Sequence, residues 1–200
     1  MSENTSPWYA VRPSPDKGLG AFAHRNIPTG TLILAEPYTL ILTINQLSIS
    51  AADIETLLPT LSPSQQADFL SLSDPPLQYP SKLVRTFLGN SISPAALPGS
   101  TCLCLKVARF NHSCVPNTEA SWNPFTNTFD LYAIRDIEAD EEIMWSYITG
   151  SCCMPTSYRQ FLQFLNWRFK CACGACRPRT AEDAEASDAR RERMLSLIHI

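Results

Sequence analysis

Short stretches in which apolar and polar residues alternate occur in both halves of the chain. The clearest cover residues 8–11, 31–36 and 129–134, and this alternation predicts half-buried β-strands. Residues 122–128, WNPFTNT, are typical of a hairpin loop because Asn, Pro and Thr favour turns. The pattern therefore predicts a fold made largely of short strands.

Two segments repeat one pattern, AHRNIPTGTLI over residues 23–33 and AIRDIEADEEI over residues 133–143. Each of these paired segments contains Ala-x-Arg-x-Ile, a turn and a second apolar run, which predicts a β-turn-β unit. Asp140 occupies the position of Gly30 in this alignment. A positive φ suits Gly and is tolerated by Asp better than by most residues, so we expect it at both positions.

Between about residues 45 and 100 the pattern changes to helical spacing. LSPSQQADFLSL, residues 61–72, places a Ser cap ahead of a helix, and SKLVRTFLGN, residues 81–90, has one apolar face. A further amphipathic helix is predicted over residues 157–167, where the apolar positions are Phe161, Leu162, Phe164 and Leu165. The predicted fold class is α+β, mostly β with a helical insertion.

Composition and charge limit the classes of function. The chain has 200 residues, enough for one domain with a short tail, and its net charge is -3 with no basic patch. Direct contact with nucleic acid is therefore not expected. The sequence carries no secretion signal and no run of about 18 apolar residues, so no membrane association is expected. These features predict an intracellular protein, located in the nucleus, the cytoplasm or both.

The eight cysteines include a group of three in CACGAC, residues 171–176. The spacing C-x-C-x2-C can direct three thiolates at one ion, and soft sulfur ligands favour zinc over three free, oxidation-prone thiols. A closed zinc site needs a fourth ligand. On the residues alone, the candidates are Cys114, His112, Cys102, Cys104, Cys152 and Cys153.

Four motifs stand in a particular order along the chain: KGLGAFA, NHSCVPN, EEIMWSY and FKCACGAC. Together they resemble the SET-domain protein lysine methyltransferases that carry a post-SET zinc motif. Within that family the chain is most similar to the SMYD-type branch, whose SET domain is split by an insertion. The insertion here contains no cysteine, so it lacks the MYND zinc finger of that branch.

The resemblance implies a domain organisation. It predicts a SET-domain β-clip of short sheets over residues 8–150, with residues 45–100 as the helical insertion and a knot-like C-terminal segment. A post-SET helix and zinc cap would follow over residues 151–176, and residues 177–200 would form a charged tail. The SMYD-type enzymes have further helices after the zinc motif, so a truncated or a mis-predicted gene product stays open on the sequence.

The resemblance also implies S-adenosylmethionine as the cofactor, in addition to zinc. The turn that approaches the methionine part of this cofactor would be formed by Lys17, Gly18, Leu19 and Gly20. Asn111 and His112 resemble the pair that binds the amine and the adenine, and Asn90 resembles a further polar contact. Phe169 resembles the aromatic residue that stacks on the adenine.

Tyr147 resembles the catalytic tyrosine, which would contact the cofactor and orient the lysine amine and the methyl group. Cys114 resembles the fourth zinc ligand, which would join Cys171, Cys173 and Cys176. The implied function is S-adenosylmethionine-dependent protein lysine N-methylation by a monomer that acts on histone tails or other proteins.

Two other functions remain open on the sequence. The first is a non-catalytic, zinc-stabilised SET module that binds a protein partner. The second is a Cys/His hydrolase that uses Cys114 and His112, two residues that would share one face of a strand. The hydrolase is disfavoured because Cys114 would be a zinc ligand and no orienting carboxylate is found nearby.

Overall fold

The computed structural model describes residues 7–42, 48–94, 98–177 and 180–198. Within these ranges the strands are β1 (Tyr9–Ser14), β2 (Gly18–Ala23), β3 (Leu32–Glu36), β4 (Leu40–Leu42), β5 (Thr101–Leu103), β6 (Asn111–His112), β7 (Thr118–Asn123), β8 (Thr128–Ala133) and β9 (Glu142–Trp145). The helices are α1 (Ala51–Leu57), α2 (Pro63–Leu70), α3 (Lys82–Asn90), α4 (Thr156–Trp167) and α5 (Ala181–Ile198). Residues 45–47 and 95–97 of the predicted insertion and residues 178–179 and 199–200 of the predicted tail lie outside the described residues.

The strands form three small sheets with the orders β1-β2-β9-β6, β3-β8-β7 and β4-β5. Strands β6 and β9 pair in parallel, whereas the other named pairs are antiparallel. The three predicted strand stretches lie in β1, β3 and β8, and the predicted loop connects β7 to β8. The class of short strands with a few helices is therefore confirmed.

The paired segments pack against each other. Ile27 and Ile137 exchange backbone hydrogen bonds of 2.8 and 2.9 Å, and both are buried in one hydrophobic cluster. Gly30 has a φ of 84° and Asp140 a φ of 65°, which confirms the turn expected from their alignment. The contact explains how two distant parts of the sequence bring β2 and β9 side by side.

The helices of the insertion pack with β4 and β5 around one hydrophobic core, called here the core of the insertion, which is separate from that of the paired segments. The side chain of Ser62 accepts a hydrogen bond from the N–H of Gln65, and Gln65 reaches back to the N–H of Ser62. This reciprocal cap begins α2, as the Ser cap predicted. Phe69 from α2 and Phe87 from α3 are fully buried in this core.

Helices α4 and α5 follow the sheets. The predicted helix over residues 157–167 is confirmed as α4, but its buried residues are polar and its apolar residues Phe161 and Phe164 lie outside, 56% and 57% exposed. Asp188 from α5 accepts two 2.9 Å hydrogen bonds from the N–H and hydroxyl of Thr156, at the start of α4. In the described part of the chain, no helix is both long and apolar enough to cross a membrane.

Candidate active site and metal centre

Tyr147 lies just after β9, and its hydroxyl donates a 2.8 Å hydrogen bond to the backbone carbonyl of Phe110. The ring N–H of Trp145 donates to the same carbonyl at 3.2 Å. Burial raises the pKa of Tyr147 above its ordinary value, and the charge of Glu142 adds to this shift. The side chain is therefore a protonated phenol at neutral pH, and the Phe110 carbonyl fixes the position of its hydroxyl.

The N-H-S-C segment runs beside Tyr147. Strand β6 places Asn111 opposite Met144 and His112 opposite Trp145. Nδ1 of His112 accepts a 3.0 Å hydrogen bond from the backbone N–H of Tyr147. Because Nδ1 accepts this bond, the neutral ring carries its proton on Nε2. The buried His112 side chain thus holds the backbone at Tyr147.

Gly20 of the G-x-G turn lies against both β6 and β9. A Cβ atom at this position would lie 2.6 Å from Oε1 of Glu142 and 2.8 Å from Nδ2 of Asn111. A side chain here would have to displace the ends of both side chains and so disturb the hydrogen bond between them, which glycine at this position preserves. Gly18 has a φ of 77°, which also favours glycine. These two glycines let the turn approach the N-H-S-C segment closely.

Glu142 is the centre of a polar network beside this turn. Oε1 accepts hydrogen bonds from Nδ2 of Asn111 at 2.7 Å and from the hydroxyl of Ser14 at 2.8 Å, and Oε2 accepts one from Nζ of Lys17 at 2.8 Å. Burial alone would raise the pKa of Glu142, but these three hydrogen bonds outweigh it and lower the pKa. Asn111 also donates to the carbonyl of Leu19 at 3.0 Å. The amide of Asn111 is therefore bonded within the protein.

A cavity of about 1100 Å³ opens beside Tyr147. Residues of the insertion, of β7 to β9 and of the end of α4 line it, and no Asp, Glu or Lys of the described residues is among them. Its aromatic lining residues are Tyr79, Trp122, Phe129, Trp145, Tyr147 and Trp167. Arg168 alone is charged among the described lining residues, so the cavity presents mainly apolar and uncharged polar surface to a ligand.

Phe169 and Asn90, two of the predicted cofactor residues, have different surroundings. Phe169 is half-buried, and its ring centre lies 5.9 Å from that of His112. Asn90 lines the cavity, but its NH2 group donates to the carbonyls of Ser73 and Thr86 at 2.9 and 2.7 Å. The side-chain amide of Asn90 thus bonds to the last turn of α3 and ties this helix to Ser73, in the segment before it.

Four cysteines from two distant parts of the sequence meet at one point. The sulfur atoms of Cys114, Cys171, Cys173 and Cys176 all lie within 4.8 Å of one another, and no other such cluster was found in the described ranges. A tetrahedral zinc ion with Zn–S bonds of about 2.3 Å needs sulfur atoms about 3.8 Å apart. Hydrogen bonds from the other three thiols lower the pKa of Cys114. The four side chains therefore fit a closed zinc site.

The other cysteines considered as the fourth ligand lie elsewhere. Cys102 and Cys104 are buried, and burial raises the pKa of Cys102 to about 11 and that of Cys104 further. Cys152 and Cys153 form a separate pair with their sulfur atoms 3.5 Å apart. Nε2 of His112 lies 3.3 Å from Sγ of Cys114, so the histidine adjoins the cluster. Among the six candidates, geometry favours Cys114.

Sequence reasoning did not find three polar residues of this region: Glu142, Arg159 and Gln163. Arg159 and Gln163 are completely buried, and both contact sulfur atoms of the cluster. Their spacing of four residues places them on one face of α4, but the same helix carries a more obvious apolar face. Glu142 lies in a run of acidic residues, which usually indicates an exposed strand end or turn.

The SET domain family matches residues 18–148 of this chain. The match covers more than half of the chain, so the chain belongs to the SET-domain family. It includes Gly18, Gly20, Asn111, His112 and Tyr147. Residues 169–176, which supply three of the four clustered cysteines, lie outside the match.

The relatives are named as lysine methyltransferases. Histone-lysine N-methyltransferase set5 of Schizosaccharomyces pombe is 33% identical over 186 residues, which cover 93% of this chain and 56% of that protein. Histone-lysine N-methyltransferase SET5 of Meyerozyma guilliermondii is 36% identical over 84 residues, 41% of this chain and 17% of that protein. Protein-lysine N-trimethyltransferase SMYD5 of Gallus gallus is 38% identical over 87 residues, 41% of this chain and 20% of that protein. The chain thus spans about half of the first relative and a fifth or less of the other two.

Proposed function

We propose that this chain is the SET portion of an S-adenosylmethionine-dependent protein lysine N-methyltransferase, with a zinc-bound post-SET cap. The family match over residues 18–148 and the names of the relatives support this function. The observation that carries the proposal is the meeting of all four motifs around Tyr147. The G-x-G turn, the N-H-S-C segment, the end of β9 and the cysteine motif are joined there by contacts of His112, Asn111 and Cys114.

The cofactor would supply a methyl group bound to a sulfonium. The turn of Lys17 to Gly20, the segment of Asn111 and His112, and the ring of Phe169 would hold it beside Tyr147. The close approach that Gly20 permits fits this role, since a side chain there would fill the space between turn and strands. The knot-like arrangement predicted for the C-terminal segment of the SET domain is part of the same proposal.

The substrate amine must be neutral when it attacks the methyl group. A lysine amine has an ordinary pKa of about 10.4, and an apolar surrounding disfavours its charged form. The aromatic walls of the cavity supply that surrounding, and the cavity lining contains no carboxylate among the described residues. Tyr147 is protonated, so its role is to orient the amine and the methyl group rather than to remove a proton.

Zinc would hold the cap in place when bound by Cys114, Cys171, Cys173 and Cys176. The sulfur separations suit its tetrahedral coordination. Reduced thiols are needed for this site, which agrees with a nuclear or cytoplasmic location. A lysine side chain of a histone tail or another protein would be the substrate.

The test is methyl transfer from S-adenosylmethionine to a panel of histones and cell-lysate proteins. We expect Tyr147→Phe to lower kcat by at least ~100-fold, because the hydroxyl that aligns the reacting groups is lost. Tyr158→Phe is the matched control, since Tyr158 is exposed on α4, and it should keep full activity. Equal transfer by wild type and Tyr147→Phe would rule out this catalytic assignment.

A zinc-stabilised module without catalysis is the second candidate. It is favoured by one observation: the side-chain amides of Asn90 and Asn111 are already bonded within the protein. Titration with S-adenosylmethionine separates the two functions, because the enzyme must bind the cofactor and the module need not. Saturable binding supports the enzyme, and its absence with zinc fully loaded supports the module.

A further inference from the structure

Helix α4 turns a polar face into the molecule. Arg159 and Gln163 lie four residues apart on this face, and both are 0% exposed. One atom in each side chain, Nε of Arg159 and Oε1 of Gln163, has no hydrogen-bond partner in the described structure. Burying a polar group is costly unless its partners compensate for lost water. The contacts of their remaining polar atoms show what this face serves.

The terminal amide of Gln163 joins the cysteine cluster to His112. Its nitrogen position lies 3.1 Å from Sγ of Cys114 and 2.7 Å from Nε2 of His112. Nδ1 of the same ring accepts the backbone N–H of Tyr147 at 3.0 Å, so Nε2 must donate. The suitable acceptor is the amide oxygen of Gln163, which therefore occupies this position next to Nε2. Nε2 of His112 also lies 3.3 Å from Sγ of Cys114, so His112 itself links the cluster to Tyr147, and Gln163 holds the ring in place.

Arg159 contacts the other side of the cluster. Its Nη2 lies 3.8 Å from Sγ of Cys176 and donates to the carbonyl of Ala175 at 3.1 Å. The same nitrogen donates to the hydroxyl of Thr156 at 3.0 Å, and Nη1 lies 4.0 Å from a carboxylate oxygen of Asp188. Nη1 also donates to the carbonyl of Met154. The hydrogen bonds of Arg159 stay within this region and do not extend to His112 or Tyr147.

We propose that Gln163 is a positioning residue that holds His112, the link between the four-thiolate metal site and Tyr147, whereas Arg159 serves the metal site alone. Four thiolates around one divalent ion carry a net charge of about 2-, and nearby donors and cations offset it. Arg159 supplies a cation to this charge. Gln163 instead accepts the Nε2–H of His112 and so fixes the ring that holds the Tyr147 backbone. This inference rests on the proposed function.

The experiment compares three variants of the zinc-loaded full chain: Gln163→Met, Gln163→Glu and Arg159→Met. Zinc affinity is measured by competition with a chelator, and kcat and KM are measured at saturating zinc. Arg159→Met and Gln163→Glu should bind zinc ~10- to 100-fold more weakly, because the first removes a cation and the second adds a negative charge beside the thiolates, whereas Gln163→Met should stay within about threefold of wild type. Gln163→Glu keeps an oxygen for Nε2–H of His112 but places a negative charge next to Cys114.

The effects of the three variants on kcat should not follow their effects on zinc affinity. Gln163→Met should lower kcat by ~10- to 100-fold with KM for the peptide unchanged, because His112 loses its amide acceptor and keeps only the 3.3 Å contact with Sγ of Cys114. Gln163→Glu and Arg159→Met should keep kcat within about threefold of wild type, in line with the retained orientation of His112. Equal loss of kcat in all three variants would overturn the coupling, since a merely structural role moves them together.

A second readout needs no enzymatic activity. The backbone amide of Tyr147 donates to His112, so its ¹⁵N chemical shift should change in zinc-loaded Gln163→Met and stay near the wild-type value in the other two variants. An unchanged shift in Gln163→Met overturns the proposal even if the wild-type protein transfers no methyl group. Inactivity of the wild type with the expected shifts would count against the proposed enzyme and leave the coupling supported. Circular dichroism and thermal unfolding of the loaded variants confirm that all are folded.

Discussion

Helices α3 and α4 look alike in sequence but bury opposite kinds of residue. In α3 the buried side chains include Val84 and Phe87, which pack into the core of the insertion. In α4 the buried residues are Arg159 and Gln163, and Phe161, Phe164 and Leu165 are exposed. The difference lies in what each helix packs against. An apolar core selects apolar side chains, whereas a cluster of sulfur atoms, a histidine ring and backbone carbonyls selects side chains that can form hydrogen bonds.

The largest effect should come from removing the cluster that α4 packs against. Cys114→Ser is expected to abolish stoichiometric zinc binding, since structural zinc contributes on the order of 10 kcal/mol to the folding of the site that holds it. Metal analysis should find one zinc per chain in wild type and far less in the variant. Cys152→Ser is the matched control, because Cys152 is exposed and outside the cluster. Full zinc content and stability in Cys114→Ser would contradict the ligand assignment.

The corresponding change in α3 should be large but independent of metal. Phe87→Ala leaves a cavity in the core of the insertion and is expected to cost about 3 to 5 kcal/mol. Denaturant unfolding measures this loss, and it should be the same with and without a zinc chelator. If the loss depended on the chelator, α3 and α4 would form one cooperative unit around the metal. The core of the insertion and the cysteine cluster would then not be independent.

The contrast between α3 and α4 also shows which features of the structure the sequence could predict. The faces of α2 and α3, the strands and the turns at Gly30 and Asp140 follow from local patterns, because each depends on neighbours within a few residues. The C-x-C-x2-C motif likewise predicts three ligands from spacing alone. Its fourth ligand could not be chosen from six candidates on the residues, since Cys114 reaches the others only through the tertiary fold.

The buried face of α4 could not be predicted from the sequence for a related reason. Hydrophobic periodicity assumes that the inside is apolar, but the neighbours of Arg159 and Gln163 are thiols and carbonyls supplied by distant segments. The network of Glu142 has the same origin, because Lys17, Ser14 and Asn111 come from other strands and turns. Both become visible only after the paired segments have brought β2 and β9 together.

A smaller effect is expected at the exposed edge of α3. Arg85 forms two 2.8 Å hydrogen bonds with the carboxylate of Asp74, and this contact lowers the pKa of Asp74. A carboxyl group with a lowered folded-state pKa stabilises the fold above its unfolded pKa of about 3.9, and this contribution disappears as the pH falls through the folded value. Asp74→Asn should therefore destabilise the protein slightly at neutral pH, far less than Phe87→Ala.

The pH dependence of unfolding checks this pair. The difference between wild type and Asp74→Asn should be constant near neutral pH and should shrink below about pH 4. Asp68→Asn on α2 is a control for a general effect of removing one negative charge from the insertion. A difference between wild type and Asp74→Asn that grows as the pH falls would show that the carboxylate is not stabilised by Arg85.

The smallest effect on stability is expected at Phe161, for which the sequence pattern alone would predict a large one. Phe161 belongs to the apolar face of α4 and is 56% exposed, with the ring of Tyr158 stacked at a centroid distance of 6.5 Å. Gln is a slightly better helix former than Phe, so Phe161→Gln should change the free energy of unfolding by less than about 0.5 kcal/mol and leave zinc content intact. Denaturant unfolding at two protein concentrations is the measurement. A loss of several kcal/mol would show that this face is covered in solution, and a dependence on concentration would identify a second copy of the chain as the cover.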